Sequence, residues 1–262
     1  MFSTLQAIIL GAVQGLTEFL PVSSSAHLVL IPWFFGWQDP GLAFDVALHL
    51  GTLVALLVYY WSDWLAMAAS VVTGDTPRRR LLILLIIASI PGAIIGLAVE
   101  KQAETLFRQH KLWIGIALGT LGIVLWVIDK FRSDERTIGE LSFLDAVAIG
   151  LSQALAIFPG VSRSGATITM ARLLGIERQD AANFSFLMAT PIIAGAGLVE
   201  GRKILHAGMT PQIGWGFIAA AVFGLIAIVA LVRFVKTRTY VPFAWYRVVL
   251  GAVVIAVAIA RA

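Results

Sequence analysis

The 262-residue sequence contains no cysteine. Disulfides, a thiol nucleophile and a cysteine-ligated metal are thereby excluded, and the redox compartment is left undetermined. Charge is also scarce: 13% of residues are Asp, Glu, Lys or Arg, against about 25% in a soluble domain. With 59% hydrophobic residues and a mean hydropathy of +0.91, the chain lacks the polar cover that a dissolved globule needs. That excludes a cytosolic enzyme, a disordered protein and a nucleic-acid binder. No Lys or Arg precedes Arg78, so the N-terminal stretch lacks the positive region of a cleavable signal peptide. What is present is apolar helix. At about 20 residues per span, the chain has room for roughly six to ten helical segments and no extramembrane domain. The high pI, near 9.7, then reads as basic cytoplasmic loops rather than a nucleic-acid surface.

Six apolar stretches are long enough to span: 43–61, 80–99, 111–128, 180–200, 213–236 and 244–261. Four others are short or broken. Residues 2–20 stop at Pro21 and are followed by 24–36; residues 143–158 stop at Pro159-Gly160 and are followed by 164–175. Proline removes a donor and clashes with the preceding turn, so each broken pair, 2–36 and 143–175, is expected to enter the membrane and turn back. The pairs resemble each other. A shift of 139 residues aligns GAVQGLTEFLPVSSS (11–25) with GLSQALAIFPGVSRS (150–164) without a gap, and Gly11, Gln14, Leu16, Phe19, Val22, Ser23 and Ser25 match their counterparts. The expected fold is therefore an all-α polytopic membrane protein of two inverted repeats, each a re-entrant pair plus three transmembrane helices. The first repeat covers 1–128, the linker 129–142 and the second repeat 143–262. Three spans per half turn the second half upside down, an architecture in which broken helices meet near the midplane. Non-helical backbone at that depth lines a polar cavity or is buried in protein, so the two breaks should face each other across a site.

Loop charge predicts the orientation. Arg78, Arg79, Arg80, Lys130, Arg132, Arg136, Arg172, Arg178, Arg233, Lys236, Arg238 and Arg247 fall on one side, and Lys101, Arg108, Lys111, Arg202, Lys203 and Arg261 on the other. The richer side is cytoplasmic. Both termini and the first broken pair then belong to the outer side.

The chemistry concentrates at the breaks. In QGLTEFLPVSSSAH (14–27), Glu18 follows Gln14 by one helical turn, so the two side chains share a face. A carboxylate at membrane depth costs about 2.5–3.5 kcal/mol and is by default functional. Ser23, Ser24 and Ser25 follow Pro21, yet one helix cap needs only one serine. His27, three residues after Ser24, is either a member of this cluster or a satisfied core histidine. In FPGVSRSGATIT (158–169), Arg163 sits between two serines at a new helix start. Its permanent charge must meet either a carboxylate such as Glu18 or an anionic ligand. The open amides and dipole of a helix start favour an anion, and Ser162, Ser164 and Thr167 add hydroxyls. Together these groups make a phosphate cradle. Ser24 corresponds to Arg163 in the repeat alignment, and a nucleophile facing a charge clamp suits phosphoryl transfer. Asp45 and His49, one turn apart near a span start, read as packing or capping rather than as a polar lid or a support behind the site, and Pro91 and Pro191 as kinks within spans.

QGLTEFLPVSS, PGVSRSGAT, FSFLMATP (184–191) and VPFAWYR (241–247) resemble the signature segments of the bacterial undecaprenyl-pyrophosphate phosphatase family, also called the bacitracin-resistance family. The family's acidic motif is Glu or Gln, three residues, then Glu; here it is Gln14 and Glu18. The resemblance implies removal of the terminal phosphate of undecaprenyl pyrophosphate, a polyprenyl diphosphate lipid, which recycles the carrier for cell-wall precursors. It implies the bacterial cytoplasmic (inner) membrane, a site open to the outer, periplasmic face, and a divalent cation, Mg2+ or Ca2+. Glu18 and Gln14 would hold the metal, Ser24 is the favoured nucleophile and His27 a candidate acid or base. Ser23, Ser25, Ser162, Arg163, Ser164 and Thr167 would bind the diphosphate, with Glu18 and Arg163 also catalytic and Arg163 stabilising charge as the P–O bond breaks. A metal-activated water in place of Ser24 stays open, and a homodimer is neither required nor excluded. Two rival functions use the same features: a lipid-phosphate flippase with alternating access, and an intramembrane protease built on Ser24 and His27.

Overall fold

The chain folds into helices α1 (Thr4–Phe19), α2 (Ser24–Phe35), α3 (Leu42–Tyr59), α4 (Trp61–Thr73), α5 (Thr76–Gln109), α6 (Lys111–Phe131), α7 (Phe143–Ala154), α8 (Arg163–Leu173), α9 (Arg178–Ala207), α10 (Pro211–Val235) and α11 (Val241–Ala260). This computed structural model describes residues 2–208 and 210–261, apart from the side chains at 97, 99–109, 200 and 202–207. Among the described residues the fold is all-α, and six helices are long and apolar enough to cross a membrane. These are α3, α5, α6, α9, α10 and α11, one for each expected span. α1, α2, α7 and α8 are the four short or broken segments.

Two differences from the sequence expectation concern the first half and the helix lengths. α4 occupies 61–73, where no element was expected: at 13 residues it is too short to span, but it buries Met67 and Ser70. α5 and α9 run past the apolar stretches 80–99 and 180–200 into polar sequence at both ends, because a helix continues wherever no breaker stops it. Pro91 and Pro191 lie inside them.

The same local rules operate at positions 139 residues apart. Ser3 and Ser142 open α1 and α7 with reciprocal capping boxes, through Gln6 and Asp145. Gly36 and Gly175, which follow α2 and α8, both take positive φ. Gly11 and Gly150 allow close helix crossings: a Cβ on Gly11 would strike the Gly216 carbonyl of α10, and one on Gly150 the Ala88 carbonyl of α5. Small residues drive such packing in lipid, where apolar side chains gain little from leaving the tails.

The expected linker is tied down rather than free. Asp129, at the end of α6, accepts from Arg172 Nε at 3.1 Å, Arg178 Nε at 2.8 Å and the Tyr240 amide at 2.7 Å. This joins the ends of α6 and α8 to the starts of α9 and α11. Arg136 pairs with Ile176 in an isolated parallel bridge, and the Ile138 amide donates to Asp180 at 2.7 Å. The Thr137 amide and hydroxyl hold the Glu140 carboxyl below the usual carboxylate range. Asp129→Ala would leave the fully buried Arg172 without this partner. A loss of about 3–5 kcal/mol is expected, readable as a lower melting temperature in detergent.

Two of the expected loop charges are buried instead. Arg172 lies in this buried cluster, and Arg247 is 1% exposed inside the protein, so neither is a loop charge. Lys101, Arg108, Arg202 and Lys203 lie outside the described side chains.

Candidate active site

The tips of the two breaks touch. After α1 the chain turns at Pro21, and after α7 a 3-10 turn, Leu155–Ile157, leads to Pro159 and Gly160. Ser23 and Ser162, the N-caps of α2 and α8, have φ of 75° and 70°. Such backbone costs about 1–3 kcal/mol per residue and persists only where the surroundings impose it. Here they do. The Ser23 hydroxyl caps Ala26 and also accepts from the Gly160 amide at 3.2 Å; the Ser162 hydroxyl caps Gly165. Ser164 Oγ reaches across to the Glu18 and Leu20 carbonyls at 3.2 and 3.1 Å. Arg247, from α11, donates to Pro21 O at 3.3 Å, Gly160 O at 3.0 Å and Val161 O at 2.9 Å. One buried guanidinium thus fastens both breaks.

Glu18 sits at the centre of the junction, 7% exposed. One carboxylate oxygen pairs with Arg163 Nη2. The other accepts from Ser24 Oγ at 2.5 Å and from Gln14 Nε2 at 3.0 Å, with His49 Nε2 at 3.6 Å. Glu18, Ser24, Ser25, Ser162 and Arg163 line a pocket of about 450 Å³. Asp45 and His49 of α3 line it too, so these two face the site rather than serve only as packing. The pocket continues along apolar wall from α5 (Gly92, Ala93, Gly96) and α9 (Pro191, Ile192, Gly195, Ala196). Among its described lining residues, Arg163 is the only Lys or Arg.

Other expected site residues are turned elsewhere. His27 does not join Ser24: its Nδ1 bonds the Ser23 carbonyl at 2.7 Å and its Nε2 the Tyr246 hydroxyl at 2.6 Å. Thr167 is fully buried; its hydroxyl meets Ser185 at 2.7 Å and fixes α8 against α9. Ser23 and Ser164 hold the junction together as described, with Ser23 Oγ also 3.2 Å from Ser25 Oγ.

For a divalent cation the observable test is Gln14. Its Oε1 is buried and unpartnered beside Glu18. An oxygen donor next to a carboxylate suits Mg2+ or Ca2+. Among the described residues no group of three or more His, Cys, Asp or Glu could hold a metal, so the remaining ligands would be phosphate oxygens and water.

The bacitracin resistance protein BacA family matches residues 7–253. The chain belongs to the BacA family. Within it, this BacA chain is 50% identical over 257 residues to the undecaprenyl-diphosphatase of Desulforudis audaxviator, covering 98% of each chain. It is 49% identical over 259 residues to that of Moorella thermoacetica, covering 97% of this chain and 98% of the relative. For that of Pelotomaculum thermopropionicum the figure is 47% over 257 residues, covering 98% and 97%.

Of the residues at or beside the site, His49 reads in the sequence as packing or capping, Arg247 as a loop charge, and Tyr246 only as part of VPFAWYR. Asp45 and His49 carried a signal, two polar residues one turn apart in an apolar helix. Arg247 carried one as well, an arginine within an apolar stretch, but it was counted as a loop charge.

Proposed function

We infer that this protein is a multi-pass membrane hydrolase that converts undecaprenyl pyrophosphate to undecaprenyl phosphate and inorganic phosphate. The observation that carries the chemistry is the Ser24–Glu18–Arg163 constellation at the meeting of two helix starts, on the wall of a pocket whose lining continues as apolar residues of α5 and α9. A diphosphate needs the first and a prenyl chain the second.

In this reading the arriving headgroup draws Arg163 away from Glu18. Ser24 Oγ attacks the terminal phosphorus, its proton passing to Glu18, the acceptor it already contacts. The anhydride P–O bond breaks, undecaprenyl phosphate leaves, and water hydrolyses the phosphoserine to return Ser24 and release phosphate. Arg163 stabilises the charge on the transferring group. Ser162 and Ser25 line the same pocket, while Ser23, Ser164 and Thr167 support the backbone that presents it. His27 acts on the position of α2 and α11. A divalent cation, Mg2+ or Ca2+, held by Glu18 and Gln14, would supply charge neutralisation on the diphosphate. The protease alternative lacks support, because Ser24 and His27 do not pair. The pocket lies within one chain, so this reading needs no homodimer. The family and the charge pattern support the bacterial inner membrane, with the pocket opening outward and the two halves inverted.

The test is phosphate release from a C55 diphosphate by purified protein in detergent, with and without chelator. Release that the chelator suppresses is expected; a flippase alone would release none. Gln14→Glu is expected to keep activity and steepen its dependence on added Mg2+, because two carboxylates one turn apart repel until a dication joins them. Loss of activity at saturating Mg2+ would remove the metal from this helix face.

A further inference from the structure

Gln153 holds in α7 the place that Gln14 holds in α1, 139 residues earlier. Gln14 donates to Glu18 one turn on. At the corresponding position the second half has Ile157, so Gln153 meets no such carboxylate. Its side chain is 4% exposed, and both Oε1 and Nε2 are buried without a partner. Buried polar groups in folded proteins are almost always satisfied, and an exception calls for an explanation. Gln153 lines the same pocket as Glu18, Ser24 and Arg163. Gly92 of α5 leaves room for the amide: a Cβ there would lie 2.5 Å from Gln153 Nε2.

We propose that Gln153 is a substrate-binding residue whose Nε2 donates to a phosphate oxygen of the lipid diphosphate. This deepens the hydrolase reading and rests on it. A neutral amide orients a phosphate without bringing a second cation that must be desolvated. Its Oε1 accepts from a protonated phosphate oxygen or from a bound water. The recognised chemistry, a tetrahedral phosphate, is common to the substrate and to the inorganic phosphate released.

Gln153→Met keeps the length of the side chain and removes both polar atoms. Its kcat/KM on a C55 diphosphate is expected to fall about 10- to 100-fold, the range for a hydrogen bond to a charged group. Its melting temperature in detergent should stay level or rise, because an unpaired buried amide is gone. Gly92→Ala, which pushes the amide aside without removing it, should lower kcat/KM in the same direction. Inorganic diphosphate and inorganic phosphate, added without lipid, should each raise the wild-type melting temperature, and the shift should shrink in Gln153→Met. A shift with diphosphate alone assigns the contact to the substrate headgroup; a shift with both assigns it to a phosphate shared by substrate and product. Wild-type kcat/KM in Gln153→Met overturns the proposal, as does a melting temperature that drops together with activity, which marks a structural amide. Wild-type protein that releases no phosphate, yet shows the Gln153-dependent shift, sinks the hydrolase reading and leaves the phosphate contact standing.

Discussion

Arg163→Ala is expected to lower phosphate release by at least about 1000-fold, the lower end of what a transition-state arginine contributes in phosphoryl transfer. Two effects add. The clamp on the transferring group is lost, and Glu18 loses the guanidinium that offsets its charge where an anionic headgroup must bind. Among the described pocket residues no other Lys or Arg can take over. The protein should still fold, because the Arg163 side chain is 20% exposed and lies at the first turn of α8 rather than in the core, with a lower melting temperature because buried Glu18 loses its partner. Arg163→Lys should recover only part of the rate, since an ammonium restores the charge without the planar, two-pronged donor geometry. Turnover measured beside size-exclusion behaviour in detergent separates chemistry from folding. Near-wild-type turnover in a folded Arg163→Ala protein would falsify the cradle.

Ser24→Ala is the second large expected loss, more than about 1000-fold if the hydroxyl forms the covalent intermediate. A serine that only donates a hydrogen bond to an attacking water would cost about 100-fold or less. The 2.5 Å bond from Ser24 Oγ to Glu18 favours the first outcome, because the proton already points at its acceptor. Rapid quenching of wild-type turnover should trap phosphate on Ser24, and mass spectrometry would read it. A Ser24→Ala protein that keeps a tenth of the activity, with no phosphoserine in the wild type, would move the attack to water. Ser24→Ala removes one bond to a buried carboxylate and leaves the Ser23 cap of α2 intact, so a severe folding defect is not expected.

The acid motif and the serine-arginine motif were legible because the cost of burying charge in lipid makes Glu18 and Arg163 conspicuous in apolar sequence. The 139-residue shift placed them on related breaks, and the structure brings those breaks into contact. Which serines and histidines face the pocket was not legible. Ser23, Ser24 and Ser25 are chemically alike in sequence; backbone of positive φ at Ser23 turns its hydroxyl to capping and to Gly160, while Ser24 turns toward Glu18. His27 and His49 differ only in what the neighbouring helices offer. α11 brings Tyr246 to His27, and α1 sets Glu18 beside His49. Arg247 was misread because loop charge and buried charge look identical until packing places them.

The sequence by itself determined that the chain lives in lipid, that six stretches can cross it, and that charge and hydroxyls collect where two helices break. Those properties follow from composition and from proline's effect on the local backbone, which need no distant partner. Only the tertiary structure decided which groups pair. Glu18 with Arg163, His27 with Tyr246 and Arg247 with both breaks join residues 145, 219 and up to 226 positions apart. Hydrogen bonds are directional and short in range, so such pairs are set by how helices cross.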